Sequence, residues 1–212
     1  NVENKICGMT DSPLTARGRA QAAALGAHVR DSGVHIDEIL YSPLSRAADT
    51  ALAIAEATGV DQKSISAYAL GEHGESQMVP WSAVTIGGKS LTKLRAERPD
   101  TYGKLDLQAI ANRGKEAGWT ILGGKGSTEF GIASSIAQVV RAIFHDENRI
   151  LPVSVLLDGQ YGQHDVYASV PAVLNRNGVE DIIELDLTPE EQAQFDRSCQ
   201  TMKENYQLAL TL

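Results

Sequence analysis

Residues 68–84 read YALGEHGESQMVPWSAV. A single histidine, His73, stands between Gly71 and Gly74, and the runs on either side, "ISAYAL" (65–70) and "MVPWSAVTI" (78–86), read as strands. A histidine held in a glycine-bounded loop at a strand end can turn one ring nitrogen towards a pocket. Its ordinary pKa lies close enough to neutrality to give and take a proton. On the local residues alone, a surface or structural histidine is the simpler reading.

The chain around this loop has 212 residues, 42% of them hydrophobic, enough for a substantial core. Its 19 basic and 27 acidic residues give a net charge of -8, which repels phosphate backbones and anionic lipid surfaces. Neither nucleic acid nor a membrane is therefore expected as a partner. Cys7 and Cys199 are the two cysteines, without ligand spacing, so neither a disulfide framework nor a metal site is signalled. The opening residues NVENKICGMT lack the charged-then-apolar pattern of a signal peptide, and no apolar run approaches the ~18 residues of a membrane span. A cytoplasmic location is the expectation.

Helices are expected at 15–33, where Thr15 caps an Ala- and Arg-rich run ending at Gly33, and at 43–58 after the Ser42–Pro43 pair. "HIDEILYS" between them reads as a strand. In the second helix Leu44, Ala48, Ala51, Leu52 and Ala55 share a face. The run "GGKSLTKLRAERPDTYGKLD" (87–106) reads as a polar connection. "DLQAIANRGKEAG" (106–118) and "STEFGIASSIAQVVRAIFHD" (127–146) read as helices, the second periodic through Ile132, Ile136, Val139, Val140 and Ile143. Three strands are expected at 151–159, 164–178 and 181–187. A last helix opens at "TPEE" from Thr188 and carries Phe195, Cys199, Met202, Tyr206 and Ala209 on one stripe, expected to be buried.

From about residue 60 to 212 these pieces, in order, resemble a known family. "GEHGES" with "VPWS", then "KGSTEFGIA", "DENRILPVSVLLDGQYG" and "PAVLNRNGVEDIIELDLTPEE" look like the C-terminal, substrate-binding half of NAD-dependent L-lactate and other L-2-hydroxy-acid dehydrogenases. The resemblance implies that His73 protonates the substrate carbonyl oxygen while hydride arrives from nicotinamide. It also implies that Thr128 contacts a small 2-hydroxy or 2-oxo acid, that Ile132 packs on the nicotinamide ring, and that the chain forms a homo-oligomer. Read without the family, Thr128 is a helix cap and Ile132 part of that helix's apolar stripe. "GGKGST" (123–128) lacks phosphate-loop spacing.

Other parts of the pattern are missing. No GxGxxG turn for a dinucleotide occurs in the 212 residues. Counting back from His73 without gaps, Arg46 stands where the family's Asp orients the histidine, and Asp49 where its Arg clamps the substrate carboxylate. The positions of the Arg and His that bind fructose bisphosphate in allosteric members hold Ala51 and Ser66. The chain alone is therefore expected to be weakly active or inactive.

Residues 1–59 resemble something else. "DSPLT" (11–15) and "SPLSRAADTA" (42–51) look like marks of the histidine phosphatase, or phosphoglycerate mutase-like, superfamily. The resemblance implies a phosphate pocket with Arg46 and Asn1 in it and Thr15 close by, although the RHG motif that carries the phosphorylated histidine is not present. His28 and His35 read as surface residues.

The expected fold is α+β: an antiparallel sheet with long helices over 60–212, preceded over 1–59 by a helix, strand and helix of a histidine-phosphatase-like α/β fold. Three functions follow. They are NAD-linked L-2-hydroxy-acid dehydrogenation, phosphoryl transfer through the first segment, and a non-catalytic oligomerising chimera.

Overall fold

A computed structural model describes the backbone of residues 45–211 and the side chains of residues 50–211. The readings made for the first 44 residues, Asn1 and Thr15 among them, lie outside the described residues.

The first described element, α1 (Ser45–Thr58), ends at Gly59, whose φ of +70° suits a residue without a Cβ. Its inner face is Thr50, Ala51, Ala53 and Ile54, while Leu52 is exposed. Of the expected face through Leu44, Ala48, Ala51, Leu52 and Ala55, Ala51 is buried and Ala55 packs against the core while Leu52 is exposed, and the side chains of Leu44 and Ala48 lie outside the described residues. Ile54, not on that face, is fully buried.

The two strands expected on either side of the GEHG loop are much shorter than read. Ile65–Ser66 (β1), Thr85–Ile86 (β2) and Lys89–Ser90 (β3) form a small antiparallel sheet, and Leu70 pairs with Met78 as an isolated bridge. Pro80 stops pairing between them and opens a 3-10 turn at Trp81–Ala83.

The connection read as polar is instead helical. Leu91–Glu97 (α2) is capped by the Ser90 hydroxyl, which accepts from the Lys93 amide, and continues into a π-type turn at Pro99–Gly103. Leu91, Leu94, Tyr102 and Leu105 are buried, Lys93, Glu97 and Arg98 are exposed, and the half-buried Arg95 donates to the Tyr102 and Leu105 carbonyls. Helix α3 (Leu107–Lys125) starts at the Asp106 cap and runs seven residues past the expected end, through Gly118, to Gly126 at φ +80°. These pieces close one core around Ile54, Val84, Ile86, Leu91 and Ile110.

The second core is built on a sheet of three antiparallel strands in the order β4 (Arg149–Asp158), β5 (His164–Asn175), β6 (Gly178–Ile182). Cross-strand pairs Val155↔Ala168 and Leu157↔Val166 share the inner face. Pairing ends at Ile182, short of the expected 187, although the Ile183 amide still donates to the Pro171 carbonyl. Helix α4 (Glu129–Phe144) covers one end of the sheet through Ala142 against Leu151 and Leu174. Its periodic stripe is divided: Val139 packs against this core, while Ile132 is 54% and Ile136 56% exposed. Helix α5 (Pro189–Ala209) covers the middle through Phe195 and Cys199, and the stripe emerges from the core by Tyr206, which is 62% exposed.

The "TPEE" start of α5 is a complete capping box that reaches beyond its own helix. The Thr188 hydroxyl accepts from the Glu191 amide, and the buried Glu191 carboxylate accepts from the Thr188 amide, the Ser82 amide and the Ser82 hydroxyl. Glu191 therefore ties the end of "VPWS" to the last helix.

Cys199 is fully buried, and burial pushes its thiol up from 9.0 to about 11. The unfolded chain loses this proton first, so the contribution to stability is complete below pH 9.0 and is lost as pH rises through about 11. Iodoacetamide at pH 8 is expected to leave Cys199 unmodified in the native protein and to alkylate it in urea, as read by peptide mass mapping. Ready modification without denaturant would contradict the packing of α5.

Candidate active site

The loop carrying His73 hangs from the Leu70–Met78 bridge, where the Leu70 amide donates to the Met78 carbonyl at 2.8 Å and the Met78 amide to the Leu70 carbonyl at 3.1 Å. Leu70 and Met78 lie in the sheet core, while Val79 belongs to the core around α1. The loop is thereby rooted in both cores. Gly71 exchanges two backbone hydrogen bonds of 3.0 Å with Ser169 of β5, which fixes the loop to the edge of the main sheet.

Two of the motif's residue types follow directly from this geometry. Gly71 has φ +86°, and a Cβ there would sit 2.3 Å from the Ser198 hydroxyl oxygen on α5. A Cβ on Gly74 would sit 2.5 Å from the Glu72 carboxyl carbon. Side chains at either position would displace the groups that hold the loop.

Glu72 folds inward. Its Oε2 accepts from the Ser76 amide at 3.0 Å and from the Ser76 hydroxyl at 2.5 Å, and its backbone amide donates to Ser198 Oγ at 2.8 Å. On the far side the Lys115 ammonium of α3 donates to the Glu75 carbonyl at 2.8 Å, and the Gln77 amide closes a turn on the Gly74 carbonyl. With its neighbours held in this way, His73 is exposed at the tip. The arrangement suits an imidazole that meets a ligand from solvent on a backbone fixed in advance.

Thr128 occupies the N-cap position of α4, yet its side chain makes no capping hydrogen bond. The Ser127 hydroxyl serves that first turn, as the largest cause holding the Glu129 carboxyl below its ordinary pKa. Capping therefore does not account for a threonine at 128, and core packing does not account for Ile132, more than half of which meets solvent. Helix α1 packs along α3 and touches α4. Arg46 and Asp49 lie near the start of α1, and their side chains are outside the described residues.

Ser76 and Ser198 were not among the expected site residues, although both hold the histidine's loop. Ser76 had a signal within "GEHGES". Ser198 had none, because its partner Glu72 is 126 residues away in the chain. Among the described residues no group of three His, Cys, Asp or Glu side chains is placed to hold a metal ion, and no helix is long and apolar enough to cross a membrane.

Comparison with known proteins agrees with this architecture. The family model described as lactate/malate dehydrogenase, alpha/beta C-terminal domain, matches residues 45–211. L-lactate dehydrogenase 3 of Bacillus cereus is 44% identical over 145 residues, covering 68% of this chain and 46% of that protein. L-lactate dehydrogenase 1 of Bifidobacterium longum is 41% identical over 152 residues, 72% of this chain and 48% of that protein. The chain thus spans about half the length of the curated relatives it matches. Among solved structures, a minor L-lactate dehydrogenase from Enterococcus mundtii superposes with a TM-score of 0.72 at 34% identity, over 83% of this chain and 56% of that one. Malate dehydrogenase from Cryptosporidium parvum gives a TM-score of 0.72 at 27% identity, over 79% of this chain and 53% of that one. With its match extending across α1 and both cores, the chain belongs to the lactate/malate dehydrogenase family through that family's α/β C-terminal domain.

Proposed function

We propose that this chain provides the substrate-binding half of an NAD-linked L-2-hydroxy-acid dehydrogenase, with His73 as proton donor and acceptor. The observation that carries the reading is the fixed backbone on both sides of an exposed His73. NAD, when bound, supplies or takes up the hydride. The exposed apolar side chain of Ile132 fits a nicotinamide face, and the uncapped Thr128 hydroxyl can meet the substrate. In reduction His73 gives its proton to the C2 carbonyl oxygen, and in oxidation it removes the hydroxyl proton.

Two charges work against this chemistry. Arg46 where a carboxylate would orient the imidazole, and Asp49 where a guanidinium would clamp the substrate carboxylate, leave the histidine less supported and the acid unanchored. The test joins residues 45–212 to the half of the Bacillus cereus relative that lies outside the match and follows NADH oxidation with pyruvate. Weak turnover is expected, rising about tenfold to a hundredfold in Arg46→Asp/Asp49→Arg because charge-assisted bonds to the carboxylate are restored. No turnover in either form, with NADH bound, would overturn the reading.

Three further assignments belong to the same proposal. A second copy of the chain covers part of the apolar surface of α3 and α4, where Trp119 is 66% and Phe130 74% exposed, giving a homo-oligomer. The protein works in the cytoplasm. Residues 1–59 derive from a histidine-phosphatase-like segment, with Asn1 and Arg46 as remnants of its phosphate pocket, although the dehydrogenase family match already begins at residue 45.

A further inference from the structure

The hydroxyl of Ser198 sits where α5 meets the loop carrying His73. Ser198 is fully buried. Its Oγ accepts from the Glu72 amide at 2.8 Å and lies 3.1 Å from Ser76 Oγ. The Ser76 proton is already committed, because that hydroxyl faces the Glu72 carboxylate at 2.5 Å and a carboxylate can only accept. Ser198 must then be the donor in the contact between the two serines. The donors therefore run in a closed ring, from Glu72 N–H to Ser198 Oγ, from Ser198 O–H to Ser76 Oγ, and from Ser76 O–H back to Glu72 Oε2.

This ring encloses the residue immediately before His73 and leaves the direction of its peptide little freedom. It also accounts for Gly71, since the ring requires Ser198 to approach the backbone so closely that a Cβ would fall 2.8 Å from the Ser198 Cβ. The last helix reaches the loop only because Phe195, three residues earlier on the same face, anchors it in the core.

Resting on the reading of His73 as the proton donor, we infer that Ser198 is the positioning residue for His73, acting from the last helix through Glu72 and Ser76. Replacing Ser198 by alanine takes the acceptor from the partly buried Glu72 amide and the donor from Ser76. The loop then opens locally while the rest of α5 stays packed.

The test uses the full 212-residue chain and needs neither NADH nor turnover. In Ser198→Ala, hydrogen exchange at the Glu72 amide is expected to quicken about tenfold or more, as a lost buried hydrogen bond requires. The ionisation constant of the His73 ring, read by NMR titration, is expected to change by about twofold or more as its surroundings shift. Ser76→Ala breaks the same ring without touching α5 and should act in the same direction, which decides the matter if Ser198→Ala fails to fold. Glu191→Gln is the control, since it weakens the same helix where it meets Ser82, away from the loop. An unchanged His73 titration in the folded ring variants, or an equal change in Glu191→Gln, would overturn the inference. If the dehydrogenase reading alone is wrong, the joined protein fails to turn over while the ring variants still move His73.

Discussion

Replacing His73 by asparagine in the protein joined to a nucleotide-binding half is expected to lower kcat/KM for pyruvate reduction by about 10²–10⁴-fold, the range for loss of a positioned general acid. Asparagine keeps a hydrogen-bond donor near the carbonyl oxygen but has no proton to transfer. The loop backbone is expected to keep its shape, because Glu72, Ser76, Ser198 and the Gly71 backbone hold it through bonds of their own. Stability within about 0.5 kcal/mol of the parent, as for other surface substitutions, separates lost chemistry from lost structure. Steady-state rates with NADH and a thermal melt decide it. Retained turnover would mean that the proton comes from elsewhere.

The largest structural effect is expected at Phe195. Its ring is fully buried among Leu70, Val166, Val170 and Cys199 and lies 4.9 Å from that of Tyr161 at a tilt of 48°. Phe195→Ala removes that area from the core and leaves a cavity bounded by a sheet that cannot collapse into it, at about 3–5 kcal/mol. For a chain of this size, that lowers the melting temperature by about 10 °C. The loss extends to the loop, since Phe195 holds α5 at the distance where Ser198 reaches Glu72. Urea unfolding of the variant measures the loss, and a midpoint equal to the parent's would show that α5 is not held through this ring.

The elements that could be read in the sequence are those whose signals are local. The capping box at Thr188, the antiparallel strands within 149–182 and the helices from Asp106 and Glu129 follow from caps, alternation and period. Helix α2 was not legible because it is seven residues long and turns only Leu91 and Leu94 inward, so its composition is that of a loop. Helix α4 shows a different limit: a period through Ile132 and Ile136 indicates a face that needs cover, but not which body provides it. His73 could be found from its motif. The Ser198 contact that fixes its surroundings, like the Glu191 contact with Ser82 further along, joins positions more than a hundred residues apart and has no local signature.

The most direct measurement is a crystal structure of the joined protein with NADH and a non-reducible 2-oxo acid analogue. A His73 ring nitrogen is expected about 2.6–3.2 Å from the C2 oxygen of the ligand, as proton transfer requires. The Thr128 hydroxyl is expected against the ligand and Ile132 against the nicotinamide ring, with the ring of bonds through Ser198 intact. A ligand bound away from His73, or one whose C2 oxygen meets another donor, would contradict the proton-donor role of His73.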